Sequence, residues 1–200
     1  MAMWQDAFQE WAGAWAAVQD LESSTEEGAV MIGPRRVMVW PGDTRPRDVL
    51  EKGLVLVTED PDGAANFAHS HGFKATTRQV LMCAETEELD LVPRLPADAN
   101  LAEAPMEKYD LVEVALFDRP VARGRLRLGE GLAVLAALGV DEGNGELVPV
   151  FEQAMVAALG EEAFTHGADV LFLVADEEQA ARFTAVEGWG RVAEILNFTK

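Results

Sequence analysis

The chain has 200 residues, 49% of them hydrophobic, with nine Phe and five Trp, and a formal charge of −19. That is enough apolar material for one generous domain or two small ones, each with a real core. The charge argues against nucleic acid, whose phosphates only scattered arginines could meet, and against an anionic membrane surface. A lone cysteine, Cys83, has no partner for an intramolecular disulfide, so a reducing cytoplasm is the expected compartment. The opening MAMWQDAFQEW has neither a basic start nor a long apolar run, so neither a signal peptide nor a membrane span is expected there.

Trp4, Phe8, Trp11, Trp15 and Val18 are spaced by four, three, four and three. They form one stripe of an amphipathic helix, with Gln5, Asp6, Glu10 and Asp20 outside it. The stripe predicts a core-facing helix. A homodimer interface is its alternative use, because so large an aromatic surface is not left wet. The acidic run LESSTEEG ends the helix. Ala29–Ile32 and Arg36–Trp40 then flank Gly33-Pro34-Arg35 as strand, turn and strand. PGDTRPRD is a loop leading to a short helix at Asp48–Lys52. Leu54–Thr58 is a buried strand, and TTRQVLMC another beyond DPDGAANFAHSHGF. Glu85–Asp98, acidic and Pro-containing, marks a join between residues 1–87 and 88–200.

Asp110–Phe117, Val121–Leu128 and Leu132–Gly139 are strands joined by Asp118-Arg119-Pro120 and Gly129-Glu130-Gly131, short turn-rich links suited to antiparallel hairpins. Arg123, Arg125 and Arg127 share one face by period two. That face is either solvated and paired to acids or a cationic strip for an anionic ligand. From Phe151, the residues Ala154, Met155, Ala158 and Leu159 fall at helical spacing, and Gly167 stops the helix. Val170–Val174 is an apolar run too short for a helix, as expected of a strand covered on both faces in a parallel pair. Glu177–Val186 is a second helix closed by Gly188, and the chain ends in a strand expected at the sheet's edge.

The chain also resembles itself. A shift of 188 − 72 = 116 pairs Gly72-Phe73 with Gly188-Trp189, Asp60 with Asp176, Ala64 with Ala180, Ala65 with Ala181 and Phe67 with Phe183. The buried strands LVLV and VLFL coincide as well. Internal repetition of this kind predicts two strand–helix–strand units, with Phe67 and Phe183 as equivalent core residues.

The run ADVLFLVADEEQAARFTAVEGWGRV resembles the strand–helix–"GF" segment of the GNAT acyltransferases, and YDLVEVALFDRPVARGRLRLGEGLAVLAALGVDE resembles the meander before that family's cofactor loop. The similarity covers roughly residues 88 to 200, and LDLVPRL resembles the family's first strand. It implies an α/β fold with a central mixed sheet flanked by helices. Residues 1–87 read as a reduced GNAT-like half without the meander and cofactor loop. By the same resemblance the cofactor is acetyl-coenzyme A and the acceptor an amine on a small molecule or peptide. The residues that would hold the cofactor are Leu138, Gly139, Val140, Gly143, Asn144, Gly145, Glu146, Leu147, Val148 and Val150.

In that family a glycine-rich loop offers backbone N–H groups to the coenzyme's pyrophosphate at the start of a long helix, where amides lack partners and the dipole favours an anion. Here the loop reads VDEGNGELVPVFEQAM, so Gly143 and Gly145 come early and the helix-proximal glycine positions carry Val148 and Val150. Glu146 adds negative charge, and Pro149 removes an amide. The family's base position falls on Leu135, Ala136 and Ala137, its acid position on Thr184, and an Asn position on Glu177. The candidates for proton transfer are therefore Glu130 and Glu146, acting through water, and Thr184, which can donate a hydrogen bond. The competing reading is a non-catalytic GNAT-like module that binds a protein or small ligand. His69, His71 and His166 lack zinc-ligand spacing and are expected at the surface. Cys83 is expected as a small buried hydrophobe.

Overall fold

A computed structural model describes residues 4–26, 28–42 and 53–200. The helix expected at 48–52 lies outside the described residues. Helix α1 (Phe8–Val18) precedes strands β1 (Ser23–Glu26), β2 (Ala29–Ile32), β3 (Arg35–Trp40) and β4 (Gly53–Thr58). Helix α2 (Pro61–Ser70) leads to β5 (Lys74–Glu85). A second run of strands follows: β6 (Ala99–Pro105), β7 (Asp110–Leu116), β8 (Arg119–Leu128) and β9 (Leu132–Val140). Helix α3 (Val148–Thr165), β10 (Val170–Ala175), helix α4 (Glu177–Thr184) and β11 (Gly190–Thr199) complete the chain.

Among the described residues one mixed sheet runs β1-β2-β3-β4-β11-β5-β10-β9-β8-β7-β6. It reads alike in both directions from the central β11–β5 pair. β4 and β10 hold matching places, as do β3 and β9, β2 and β8, and β1 and β7. The pairing senses agree too: β3–β4 and β9–β10 are parallel, while β2–β3 and β8–β9 are antiparallel. Each strand–helix–strand unit straddles one strand of the other, with β11 between β4 and β5, and β5 between β10 and β11.

The caps explain why the two units form alike. Asp60 starts α2 by accepting a hydrogen bond from the Gly63 amide at 3.0 Å, and Asp176 starts α4 by accepting one from the Gln179 amide at 2.8 Å. Gly72 and Gly188 follow the two helices with φ of 83° and 93°, where a side chain would be strained. Their aromatic successors, Phe73 and Trp189, are both buried.

Several expectations need correction. The last strand is not an edge: β11 pairs with β4 on one side and β5 on the other, and among the described strands β1 and β6 are the edges. The first half does carry a meander, the short β1–β2–β3, because LESSTEEG supplies a strand as well as a helix stop. Residues 89–95 are not a strand, since Pro93 and Pro96 break up the pairing that a ladder needs. The strand in that region is β6. Between β7 and β8 the turn falls on Phe117 and Asp118, both at positive φ, one residue earlier than expected. Phe67 is only half-buried, against Trp40 and His71, whereas Phe183 lies in the core.

The core has two sides. Helix α1 crosses one face of the sheet, where its stripe packs within the same chain on strands of both halves, including Val30, Val57, Leu81, Val134 and Phe172. Trp11 is 0% exposed, stacks near Phe172 with centroids 6.2 Å apart, and donates its indole N–H to the Trp4 carbonyl at 2.9 Å. A buried indole keeps its hydrogen bond in this way while contributing a large apolar area. On the other face α3 and α4 cover β5 and β7–β10, and α2 covers β3, β4 and β11. Among the described residues no helix is long and apolar enough to cross a membrane.

Candidate functional site

Strands β9 and β10 run side by side only from Leu132–Val170 to Leu135–Leu173. Ala137 then takes a φ of 56°, and the β8–β9 register slips between Arg123–Gly139 and Arg125–Ala136. A bulge of this kind bends its strand. β9 continues to Val140 while β10 ends at Ala175 and turns into α4, so residues 136–140 have no strand partner on the β10 side. A cleft of about 450 Å³ opens there, between the end of β9 and the first turns of α3 and α4.

Leu138, Gly139, Val140, Gly145 and Val148 line the cleft. The others of the expected cofactor set, Gly143, Asn144, Glu146 and Leu147, lie in the 3₁₀ turn Glu142–Leu147 that runs straight into α3. That continuity changes the chemistry of the helix start. The Val148 amide donates to the Gly145 carbonyl, and Pro149 has no amide. Two of the donors that an anion would use are therefore absent from the first turn. Val150 is 38% exposed and faces a different cavity.

The cleft holds a network that sequence reasoning missed. Glu152, on the second turn of α3, is only 3% exposed. Its two carboxylate oxygens accept from Arg182 Nε and Nη2 at 2.8 Å each, and Gln179 Nε2 donates to Oε1 at 2.8 Å. The same Gln179 amide reaches the Leu138 carbonyl at 3.3 Å, tying α4 to the open edge of β9. A bidentate, charge-assisted pair is among the strongest hydrogen-bond geometries. It holds the Arg182 guanidinium above its usual pKa, through the hydrogen bond to Glu152 first and against burial. The signal was present in the sequence as a Glu between the apolar Phe151 and Ala154 and a Gln and Arg three apart on α4.

The expected proton-transfer residues do not meet in this cleft. Glu130 lies beyond the start of β9, roughly 25 Å of strand from Val140 at about 3.3 Å per residue. Its amide is bonded to the Glu10 carboxylate. The Thr184 hydroxyl donates back to the Ala180 carbonyl at 2.7 Å, which occupies its only proton. Glu146 is exposed on the 3₁₀ turn. Glu177 forms a bidentate pair with Arg191 at 2.8 and 2.9 Å, and the hydrogen bond to Arg191 lowers its pKa.

Of the arginine strip, Arg125 and Arg127 face the α1 side. Arg125 donates to the Val18 carbonyl at 2.9 Å and lies 4.4 Å over the Tyr109 ring, while Arg127 donates to the Lys108 carbonyl at 3.0 Å. The alternating partners Gly124 and Leu126 face α3 instead. His69, His71 and His166 are exposed, and no group of side chains among the described residues could hold a metal ion.

A mixed sheet whose parallel strands splay at a bulge, with a helix beginning at the splay, is the GNAT architecture. Comparison with solved structures gives the same fold. A GCN5-related N-acetyltransferase from Kribbella flavida superposes with a TM-score of 0.65 at 17% identity, over 95% of this chain and 93% of that one. A functionally unknown conserved protein from Staphylococcus epidermidis gives 0.63 at 12% identity, over 90% and 94%. A tandem GNAT protein from the clavulanic acid biosynthesis pathway gives 0.58 at 12% identity, over 86% and 78%. No family model and no curated protein sequence matches the chain.

Proposed function

We propose that the chain is an N-acyltransferase of the GNAT type, using acetyl-coenzyme A weakly and accepting an amine on a small molecule or peptide. The observation that carries this reading is the free edge of β9 at residues 136–140, opening on a cleft at the start of α3. Such an edge offers backbone groups, apart from the Leu138 carbonyl that Gln179 holds, to an extended, amide-bearing ligand. The strand end therefore fits the cofactor's arm. The phosphate end fits it poorly. Among the described residues, Glu152, Asp176 and Glu178 border the cleft against a single cation, Arg182, which is already paired.

When bound, the cofactor would supply an activated acetyl group. The edge of β9 would hold the ligand extended, and Gln179 would fix the strand by its bond to Leu138. The acceptor's proton would leave through water, since among the described residues no base replaces Leu135–Ala137. We also read residues 1–87 as a reduced GNAT-like half and 88–200 as the acyltransferase domain, a division supported by the matched strand order. The lone thiol supports a reducing, cytoplasmic setting.

A second reading, a non-catalytic module, is favoured by the Glu152–Arg182 pair and the bonded Val148 amide. Calorimetric titration with acetyl-coenzyme A separates the two. The acyltransferase reading expects a Kd of about 0.1–1 mM, roughly 4–5.5 kcal/mol of affinity. Replacing Val148 with Gly and Glu146 with Arg should tighten it, whereas replacing Val150, which faces the other cavity, should have little effect. Absence of binding before and after those substitutions would favour the module.

A further inference from the structure

A second cavity, of about 380 Å³, lies between residues 88–94 and helices α3 and α4. That volume accommodates an aromatic ring bearing a small branched group. Its walls are apolar: Leu91, Ala154, Ala157, Val186 and the edge-to-face pair Phe183–Trp189, with centroids 5.7 Å apart. The Glu152–Arg182 pair stands between this cavity and the cleft of β9, beside a narrow gap lined by Pro149 and Phe183.

Charge selects the ligand. Glu88, Asp90, Arg94 and Glu187 border the cavity, and Arg94 donates to Asp90 at 2.6 Å. Glu88 and Glu187 remain, each exposed and without an ion-pair partner among the described residues. An anion would meet this border and a chain of net charge −19. A neutral ligand would leave the two acids unused. A cation gains from the carboxylates and from the aromatic wall together. We propose that this cavity binds an organic cation, its apolar body against Phe183 and Trp189 and its ammonium group between Glu88 and Glu187.

The test is calorimetry with benzyltrimethylammonium, benzyl alcohol and phenylacetate. The quaternary probe cannot be acylated, so the result is independent of whether the chain transfers acyl groups. The expected Kd for the cation is about 0.1–1 mM. The alcohol and the carboxylate should bind about tenfold or more weakly. The double variant E88Q/E187Q, altered only at exposed positions, should lose about tenfold for the cation and little for the alcohol. Ala157→Leu, which fills the cavity, should abolish binding of all three, with near-ultraviolet circular dichroism confirming its fold. If that variant does not fold, the double variant decides. No binding of the cation at about 10 mM, binding of either control within about threefold of it, or an unchanged affinity in the double variant would each overturn the proposal.

Discussion

At the residue scale, the side chain that most affects the site is Glu152. Its carboxylate occupies the only cation that lines the cleft among the described residues, so it stands where a ligand's anion would otherwise pair. Glu152→Gln keeps the shape and removes the charge. The expected cost is about 1–3 kcal/mol in a urea titration, because Arg182 and Gln179 lose a charged acceptor in a nearly dry site. The expected gain is tighter binding of acetyl-coenzyme A by calorimetry, since Arg182 is released. A loss of stability with unchanged affinity would mean that Arg182 is structural only. Cys83 is a second case. Burial, with Glu85 adding to it, pushes its thiol up from the ordinary 9.0 to about 11. The folded chain then keeps a proton that the unfolded chain releases. Its contribution to stability is fully present below about pH 9 and is lost as pH rises toward 11. Denaturation midpoints of wild type and Cys83→Ala should therefore converge between those limits, because only wild type carries this loss.

At the element scale, the two strand–helix–strand units share caps and turns but differ in what surrounds them. Phe183 is buried beside Trp189, and truncating it to Ala should cost about 3–5 kcal/mol. Half-buried Phe67 should cost about 1–2 kcal/mol, below the core value, because part of its ring already faces water. The glycines separate in the same direction. A Cβ at Gly72 meets nothing within 4 Å, whereas at Gly188 it comes within 3.0 Å of Leu89 Cδ2 and 3.3 Å of the Glu88 carbonyl. Gly72→Ala should thus lose about 1–2 kcal/mol from backbone strain alone, and Gly188→Ala more. Thermal denaturation of the two variants side by side measures the difference. Equal losses would mean that residues 88–89 move aside freely.

At the scale of the whole molecule, strand exchange between the halves makes them one cooperative object. Residues 88–200 alone would keep β11 but lose β4 and β5, which flank it on both sides, and would lose α1 from one face of the sheet. That fragment is expected to lack the near-ultraviolet signature of packed tryptophan. The full chain should unfold in one transition seen alike by fluorescence and far-ultraviolet dichroism. Two separated transitions would show that the halves fold independently.

The sequence by itself determined what short-range chemistry controls. The stripe of Trp4, Phe8, Trp11 and Trp15 specified a core-facing helix, and the runs at 54–58 and 170–174 buried strands. Asp60 and Asp176 stood out only as a repeated pair, whose capping role the structure supplied. The helix stripe and the strands follow from periodicity within a few residues, and the 116-residue repeat from matching the chain against itself. The splay at Leu135–Leu173 was not legible, since nothing in LAVLAALGV marks Ala137 as left-handed. Tertiary structure alone decided the rest. β11 looked like an edge because strand order depends on partners more than a hundred residues away, which leave no trace in local pattern. The Glu152–Arg182 pair spans 30 residues, and each member alone reads as an ordinary surface charge. Burial made that pair the centre of the cleft, because a carboxylate withdrawn from water must find its countercharge nearby.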